Sequence, residues 1–342
     1  MKTLIQSLVV FICLIISAQA YAQGRRHVEV DGIDYTIIRE ADESETFGLA
    51  SVAPKKKGKY FGDIVIPSGF QESDDAYSDK YMVISVDIQA FSECPELTSV
   101  TLPASVELIQ SHAFYKTPKL ETVIIPYGNL TGIGLNAFYL SGIRTMKIPG
   151  SVSSIGYNAF GECPNLQEIN LSANITVIDE LAFNECINLE KLIFDGNFAD
   201  IDVAKNAFSG CVKLYESDES SIKVNNPSIG TKGETASTIL SITLSNFATI
   251  IEMSSNNTAP DGSGYYQWIN IEPEAYIVAD GEHYKLLDTE GIAISPYQTE
   301  YTEINQTIRF KLIFPPISKD VKHIDLIESE SSSWQFKDIT IN

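Results

Sequence analysis

An Ala-Phe pair that recurs six times in register constrains the fold of this chain more than any other feature of its sequence. The phenylalanines are residues 91, 114, 138, 160, 183 and 208, so successive pairs are 23, 24, 22, 23 and 25 residues apart. An apolar residue stands five positions before each Phe. Repeats of this length are typical of solenoids, in which each unit buries its apolar edge only against its neighbours. The sequence therefore predicts a mainly β solenoid of about six rungs over residues 86–215, a rung being one repeat.

Each repeat also contains a segment that alternates like a β-strand. In LTSVTL (97–102), Val100 and Leu102 take inward positions, while Ser99 and Thr101 face outward. The same alternation defines an outward face over five successive strands, made of Ser99, Thr101, Thr122, Ile124, Thr145, Lys147, Glu168, Asn170, Lys191 and Ile193. We take this strand face as the candidate ligand-binding surface.

Apolar and aromatic residues at outward positions support that choice. Ile124 and Ile193 are apolar where water is expected, which is a mild sign of a contact patch. Tyr115 and Tyr139 each follow a repeat Phe on a turn face, where they are candidate aromatic anchors. For the Thr and Ser positions of the strand face, a solvated ladder is the simpler interpretation.

The repeat resembles the BspA-like subgroup of leucine-rich repeats, found in bacterial surface and secreted proteins. That form reads L-x-x-V-x-L-P-x-x-V-x-x-I-x-x-x-A-F-x-x-C, and the segment LTSVTLPASVELIQSHAF (97–114) carries most of it. The resemblance covers roughly residues 60–215. It implies a leucine-rich-repeat solenoid in an adhesin-like protein whose partner is a protein ligand, either a host matrix protein or a cell-surface protein.

Four cysteines share one position, the third residue after a repeat Phe. They are Cys94, Cys163, Cys186 and Cys211, and Thr117 and Ser141 take the same column in the two other repeats. Small donors can serve backbone carbonyls inside a turn, so we expect buried structural thiols. Rungs about 5 Å apart also allow a disulfide between residues 163 and 186 or between 186 and 211, although parallel side-chain directions disfavour it. Ligands in single file do not make a tetrahedral zinc site.

The N-terminal region has two parts. Lys2, an apolar run and the Ala20-Tyr21-Ala22 site predict a secretory signal peptide over residues 1–22, and hence export to the cell surface, the periplasm or the medium. HVEVDGIDYTII (27–38) alternates around Asp31-Gly32, a hairpin signal, so residues 23–85 are expected to form a β cap and the first strand. The acidic stretches 40–45 and 72–79 lack the spacing of a calcium loop and are interpreted as solvated turns.

The repeat period stops after residue 215. Residues 216–237 are polar and predict a linker, whereas the short strands separated by turn residues over 238–342 predict a β-sandwich. This last region is similar to accessory β-sandwich modules of secreted Bacteroidetes proteins. Its Tyr265, Tyr266 and Trp268 could form an aromatic platform for a glycan, but alternation favours core packing for them.

Composition and motifs exclude several classes of function. A formal net charge of −21 opposes binding to nucleic acid and to anionic membranes, and no second apolar stretch is long enough for membrane insertion. No metal, nucleophile or phosphate-binding motif appears, so we predict no catalytic residues, no cofactor and no metal site. A glycoside hydrolase is a remote alternative, because a carboxylate pair can be assembled in three dimensions.

The leading interpretation is a secreted or cell-surface, non-enzymatic interaction protein. It would bind a protein ligand through the strand face of the solenoid. The alternative is a glycan-binding accessory protein that acts through the C-terminal sandwich.

Overall fold

The computed structural model describes residues 26–40, 47–73, 79–194, 201–218, 220–233, 235–258, 264–332 and 334–341. The predicted signal peptide and most of both acidic stretches lie outside these residues. The chain divides into two compact units, an N-terminal unit over residues 1–207 and a C-terminal unit over 208–342. The division falls between the Ala and the Phe of the sixth repeat.

The N-terminal unit begins with a hairpin of β1 (His27–Val30) and β2 (Ile33–Arg39). Asp31 and Gly32 join the strands with φ angles of 51° and 78°, and this pair of positive φ values matches the twist of a two-residue hairpin. The hairpin prediction is confirmed. The strands that follow are β3 (Gly48–Val52), β4 (Gly62–Val65), β5 (Gly69–Gln71) and β6 (Lys80–Val86). Strand β3 pairs antiparallel with β2 and parallel with β6, so it joins the antiparallel hairpin to the parallel strands of the solenoid.

Each repeat contributes one longer strand and one two-residue strand. The longer strands are β7 (Leu97–Thr101), β9 (Thr122–Ile124), β11 (Thr145–Lys147), β13 (Glu168–Leu171) and β15 (Lys191–Phe194). The short ones are β8 (Leu108–Ile109), β10 (Gly132–Ile133), β12 (Ser154–Ile155), β14 (Val177–Ile178) and β16 (Asp202–Val203). The short strands extend the sheet of β6 in chain order, and the longer strands form the parallel sheets β4-β7-β9 and β11-β13-β15. Equivalent residues of adjacent rungs are paired in register; Ile133, for example, pairs with Ile155.

The repeat phenylalanines of the N-terminal unit form one stack. Phe91, Phe114, Phe138, Phe160 and Phe183 are fully buried, their ring centroids are 4.9 to 5.3 Å apart, and their planes are nearly parallel. Each of these Phe N–H groups donates to the carbonyl of the Ala in the next repeat at 2.7 or 2.8 Å. At the N-terminal end of the stack, the Tyr60 ring packs 4.7 Å from Phe91. Each rung therefore keeps its Phe and its Ala in register with those of the next rung.

The four cysteines of the column are buried, and none of them forms a disulfide. Cys163 Sγ donates to the carbonyl of Phe138 at 3.1 Å, and Cys186 Sγ donates to that of Phe160 at 3.0 Å. Thr117, which takes the column two repeats before Cys163, donates to the carbonyl of Phe114, the Phe of its own repeat, at 2.8 Å. Burial raises the pKa of the Cys163 thiol well above its usual value. The expected role, a small donor that serves a backbone carbonyl, is confirmed, and neither of the two disulfides left open by the sequence is formed.

The C-terminal unit contains one short helix, α1 (Val212–Ser217), followed by strands. These are β17 (Ile222–Asn225), β18 (Ile229–Lys232), β19 (Ser237–Leu244), β20 (Thr249–Asn256), β21 (Trp268–Ile271), β22 (Tyr276–Ala279), β23 (Glu282–Lys285), β24 (Asp288–Glu290), β25 (Ala293–Ile294), β26 (Thr299–Glu300), β27 (Thr307–Phe314), β28 (His323–Ile327) and β29 (Gln335–Thr340). Two five-stranded antiparallel sheets, β17-β19-β20-β27-β24 and β18-β29-β28-β22-β23, share one hydrophobic core. This is the arrangement of a β-sandwich. A small third sheet has the order β25-β21-β26.

Residues 216–237 differ from the linker that the sequence predicts. They contain β17 and β18, which pair with β19 and β29 at the edges of the two main sheets. Edge strands with one solvated face need few apolar residues, and only Ile222, Val224 and Ile229 of these two strands pack against the core. Their low apolar content explains why the sequence pattern looks like a linker.

Candidate binding surfaces

The strand face lies on the longer strands of the solenoid. The register places Thr101 beside Ile124, and Lys147 beside Asn170, which is in turn beside Ile193. Between these outward residues lie buried ones such as Val100 and Met146. All the residues predicted for this face therefore lie on one side of the two parallel sheets.

The N-terminal half of this face carries exposed apolar side chains among its Ser and Thr residues. Val65 on β4 is 70% exposed and lies beside Thr101, whose other neighbour, Ile124, is 52% exposed. Tyr127, three residues after Ile124, is 81% exposed, and the Lys147 ammonium lies 5.7 Å from its ring centroid. We call Val65, Ile124 and Tyr127 the apolar patch. Sequence reasoning missed Val65 and Tyr127, although alternation along GDIVIP (62–67) places Val65 outward.

The C-terminal half of the face is polar, and its side chains pair with one another. Asn170 Nδ2 donates to Glu168 Oε1 at 2.7 Å, and the Lys191 ammonium lies 3.1 Å from Glu168 Oε2. The hydrogen bond from Asn170 and the Lys191 charge together hold the pKa of Glu168 below its usual value. Ile193 is only partly exposed. This half of the face is therefore a surface of paired polar side chains.

Tyr115 and Tyr139 form a second exposed feature on the turn face. Their rings stack with centroids 5.5 Å apart and an interplanar angle of 14°. The Tyr139 hydroxyl donates to Glu162, and this hydrogen bond, together with burial, raises the pKa of Tyr139 to about 12. The Lys116 ammonium lies 5.0 Å from the ring centroid of Tyr115. Both tyrosines are partly exposed, so the turn face carries a short aromatic column.

The aromatic cluster of the C-terminal unit lies on the surface. Tyr265, Tyr266 and Trp268 are all exposed, so the prediction that they pack in the core is wrong. Strand β21 does alternate, but Ile269 and Ile271 are the residues that pack inward, and this leaves Trp268 outward.

A fourth aromatic residue adds to this cluster. Tyr297 is also exposed, and its carbonyl accepts a hydrogen bond from Asn270 Nδ2 at 3.1 Å. Because Asn270 and Trp268 lie on the same side of β21, Tyr297 is close to the outward side of that strand. Sequence reasoning missed it, and a Tyr directly after Pro296 in a turn gives little signal.

The described residues offer little for catalysis or metal binding. Over these parts of the chain, no group of three or more His, Cys, Asp or Glu side chains is placed to hold a metal ion. Burial raises the pKa of Asp288 and of Glu328, but donors already engage both carboxyl groups: the Thr289 N–H at 2.7 Å and the Ser332 hydroxyl at 2.6 Å. No helix among the described residues has the length and apolar content needed to cross a bilayer.

Comparison with known families identifies the solenoid. Residues 84–215 match, in six copies, a family described as the BspA type leucine rich repeat region. These residues are a BspA-type leucine-rich repeat region. Members of this family are typically surface or secreted proteins. The match ends at residue 215, so the resemblance of the C-terminal unit to Bacteroidetes modules stays a prediction, as does export.

Several solved structures also match the chain. The pneumococcal vaccine antigen PcpA is 19% identical over 54% of this chain and 51% of its own, with a TM-score of 0.40. A leucine rich cell surface protein from Faecalibacterium prausnitzii is 20% identical over 60% of this chain and 58% of its own, with a TM-score of 0.38. The T. pallidum leucine rich repeat protein is 23% identical over 55% and 91%, with a TM-score of 0.40. The match thus spans about half the length of the first of these structures, and no curated protein matches the sequence.

Proposed function

We propose that this protein is a secreted or cell-surface, adhesin-like interaction protein that binds a protein ligand through the strand face of its solenoid. The observation that carries the proposal is the apolar patch. Val65 and Ile124 lie in one row of the sheet, on either side of Thr101, and both side chains are more than half exposed. Tyr127 comes three residues after Ile124, and its ring centroid is 5.7 Å from the ammonium of Lys147 on the same face. Exposed apolar clusters with polar surroundings mark interaction sites.

The rest of the face has the composition of an interface rim. Thr122, Thr145, Glu168 and Lys191 flank the apolar patch with polar groups, and rim residues of this kind exclude water from a central cluster of anchors. The stacked repeats hold these side chains in a fixed arrangement, so little ordering entropy opposes binding. The net charge of −21 favours a ligand with a basic surface. The BspA-like resemblance supports a host matrix or cell-surface protein as the partner.

A pair of isoleucines on the solenoid allows a matched test. Ile124 and Ile187 are both 52% exposed, but Ile187 follows Cys186 in a turn, outside the strand face. The full chain and its Ile124→Lys and Ile187→Lys variants would be tested by surface plasmon resonance against immobilised fibronectin, fibrinogen, laminin and collagen. We expect Ile124→Lys to weaken binding at least about fivefold, because loss of a central anchor typically costs more than about 1 kcal/mol. Ile187→Lys should bind like the parent. Equal loss in both variants, or loss in neither, would refute the assignment to this face.

Glycan capture by the C-terminal unit is the second candidate function. The exposure of Tyr265, Tyr266, Trp268 and Tyr297 favours it, because clustered surface aromatics supply flat apolar area for sugar rings. A glycan array probed with the full chain and with Trp268→Ala tests it, and Ile304→Ala, at another exposed apolar position of the same unit, serves as the control. An array profile that does not change in Trp268→Ala would eliminate this platform.

A further inference from the structure

The aromatic column on the turn face stops one rung short of the N-terminal end. The residue after each Phe is Ser92, Tyr115, Tyr139, Gly161 and Asn184 in successive rungs of the N-terminal unit. The Tyr139 ring covers one side of the Tyr115 ring. On the other side, the same position carries the small side chain of Ser92. The Phe91 and Phe114 ring centroids of these two rungs are 5.0 Å apart, which is about the spacing of two stacked rings. Because the rung before Tyr115 has Ser92 instead of a tyrosine, there is room for about one more ring beside Tyr115.

A pocket lies between Ser92 and Tyr115. It has a volume of about 220 Å³ and is lined by Pro54, Lys59, Gln89, Ser92, Glu93 and Tyr115. Lys59 is held in place, because its ammonium donates to the Ser92 carbonyl at 2.9 Å. Lys116, the cation beside the Tyr115 ring, does not belong to the lining. We call this pocket the Tyr115 slot.

The lining combines one aromatic wall with a polar rim. Lys59 supplies a donor, Glu93 an acceptor, and Gln89 and Ser92 supply both. The slot is smaller than the pockets of about 300–1,000 Å³ that enclose drug-sized ligands, so it fits a single ring. The matching ligand has an apolar flat side and hydrogen-bonding groups all around its edge.

We propose that the Tyr115 slot binds one pyranose ring of a glycan, stacked on Tyr115 and hydrogen-bonded through its hydroxyls to Lys59, Gln89 and Glu93. A pyranose has an apolar C–H side and a rim of hydroxyls, so it satisfies both parts of the lining. An aromatic side chain of a protein partner has the right thickness, but it would cover the polar rim without pairing it. The proposal is independent of the strand face and of the aromatic cluster in the C-terminal unit.

The test is saturation-transfer NMR on the full chain with free glucose, galactose, mannose and N-acetylglucosamine as probes. We expect at least one sugar to bind with a Kd on the order of 1 mM, the affinity typical of a ligand with about a dozen heavy atoms. Tyr115→Ala removes the aromatic wall, and Ser92→Tyr fills the slot with a ring while preserving the stack. Both variants should reduce the saturation-transfer signal at least tenfold.

A serine at the equivalent position of another repeat provides the matched control. Ser209 follows Phe208 as Ser92 follows Phe91, so Ser209→Tyr adds the same phenol away from the slot and should leave binding unchanged. If Tyr115→Ala fails to fold, as judged by circular dichroism, Ser92→Tyr alone decides. The proposal is overturned if none of the four sugars binds, if binding survives Ser92→Tyr, or if Trp268→Ala abolishes the signal while Ser92→Tyr leaves it intact.

Discussion

Truncation of Phe138 is the most direct test of the phenylalanine stack. The ring is fully buried, with its centroid 4.9 Å from that of Phe114 and 5.1 Å from that of Phe160. Phe→Ala changes in well-packed cores cost about 3–5 kcal/mol, and the cost is highest where the surroundings cannot collapse. The Phe138 N–H donates to Ala159 and the Phe138 carbonyl accepts from Cys163, so its backbone is held by the next rung. We therefore expect Phe138→Ala to lower the free energy of unfolding by about 4–5 kcal/mol.

Urea denaturation followed by far-UV circular dichroism measures this loss. With an m value of about 3 kcal/mol/M, the transition midpoint should fall by roughly 1.5 M. Phe61→Ala is the control, because Phe61 is exposed and its truncation should cost no more than about 0.5 kcal/mol. Phe138→Leu fills most of the space and should cost under about 1.5 kcal/mol. A Phe138→Ala loss below about 1 kcal/mol, or one equal to that of Phe61→Ala, would refute the stack as the main apolar contact between rungs.

Three further predictions concern the turns of the repeats. Glu185 has a φ of 56°, and this left-handed backbone costs a residue with a side chain about 1–2 kcal/mol. Glu185→Gly should therefore raise the thermal midpoint. Glu190→Gly is the control: Glu190 does not have a positive φ, so glycine relieves no strain there and should lower the midpoint. Burial raises the pKa of the Cys163 thiol, so the native state binds the proton more tightly than the unfolded state, and stability should fall as the pH rises above about 8.5. Cys163→Ser should make that alkaline decline shallower in thermal melts, and an unchanged slope would contradict the assignment. A Cβ on Gly161 would lie 1.8 Å from Asn158 Oδ1, so Gly161→Ala should cost about 1–3 kcal/mol in urea melts. Asn158 has a φ of 51°, which glycine adopts without strain, so adding Asn158→Gly should recover part of that loss.

The buried positions of the solenoid were predictable because every repeat packs against its neighbours in the same way. Val100 and Leu102 are buried and Cys163 donates to a carbonyl, as expected from the sequence. Six copies in register remove the ambiguity that a single short apolar segment would leave between strand and buried helix. The outward residues followed from the same alternation.

The features that sequence reasoning missed depend on pairing between distant strands. Val65 belongs to a cap strand outside the Ala-Phe register, and only the pairing of β4 with β7 places it beside Thr101. In β21, alternation separates Trp268 from Ile269 but does not say which of the two sets is buried, because that depends on which sheet lies behind the strand. Polar edge strands such as β17 have the composition of a linker.

The buried and the outward columns of the solenoid are under different structural constraints. Buried columns repeat Ala and Phe because stability depends on each rung matching the next. Outward columns carry no such constraint, so a change of residue from one rung to the next alters the surface without loosening the core. The step from Ser92 to Tyr115 creates a slot, and the change from Ile124 to Lys147 ends the apolar patch. Ser92→Tyr and Ile124→Lys should therefore change binding while leaving the urea midpoint unchanged, the opposite of what Phe138→Ala should do.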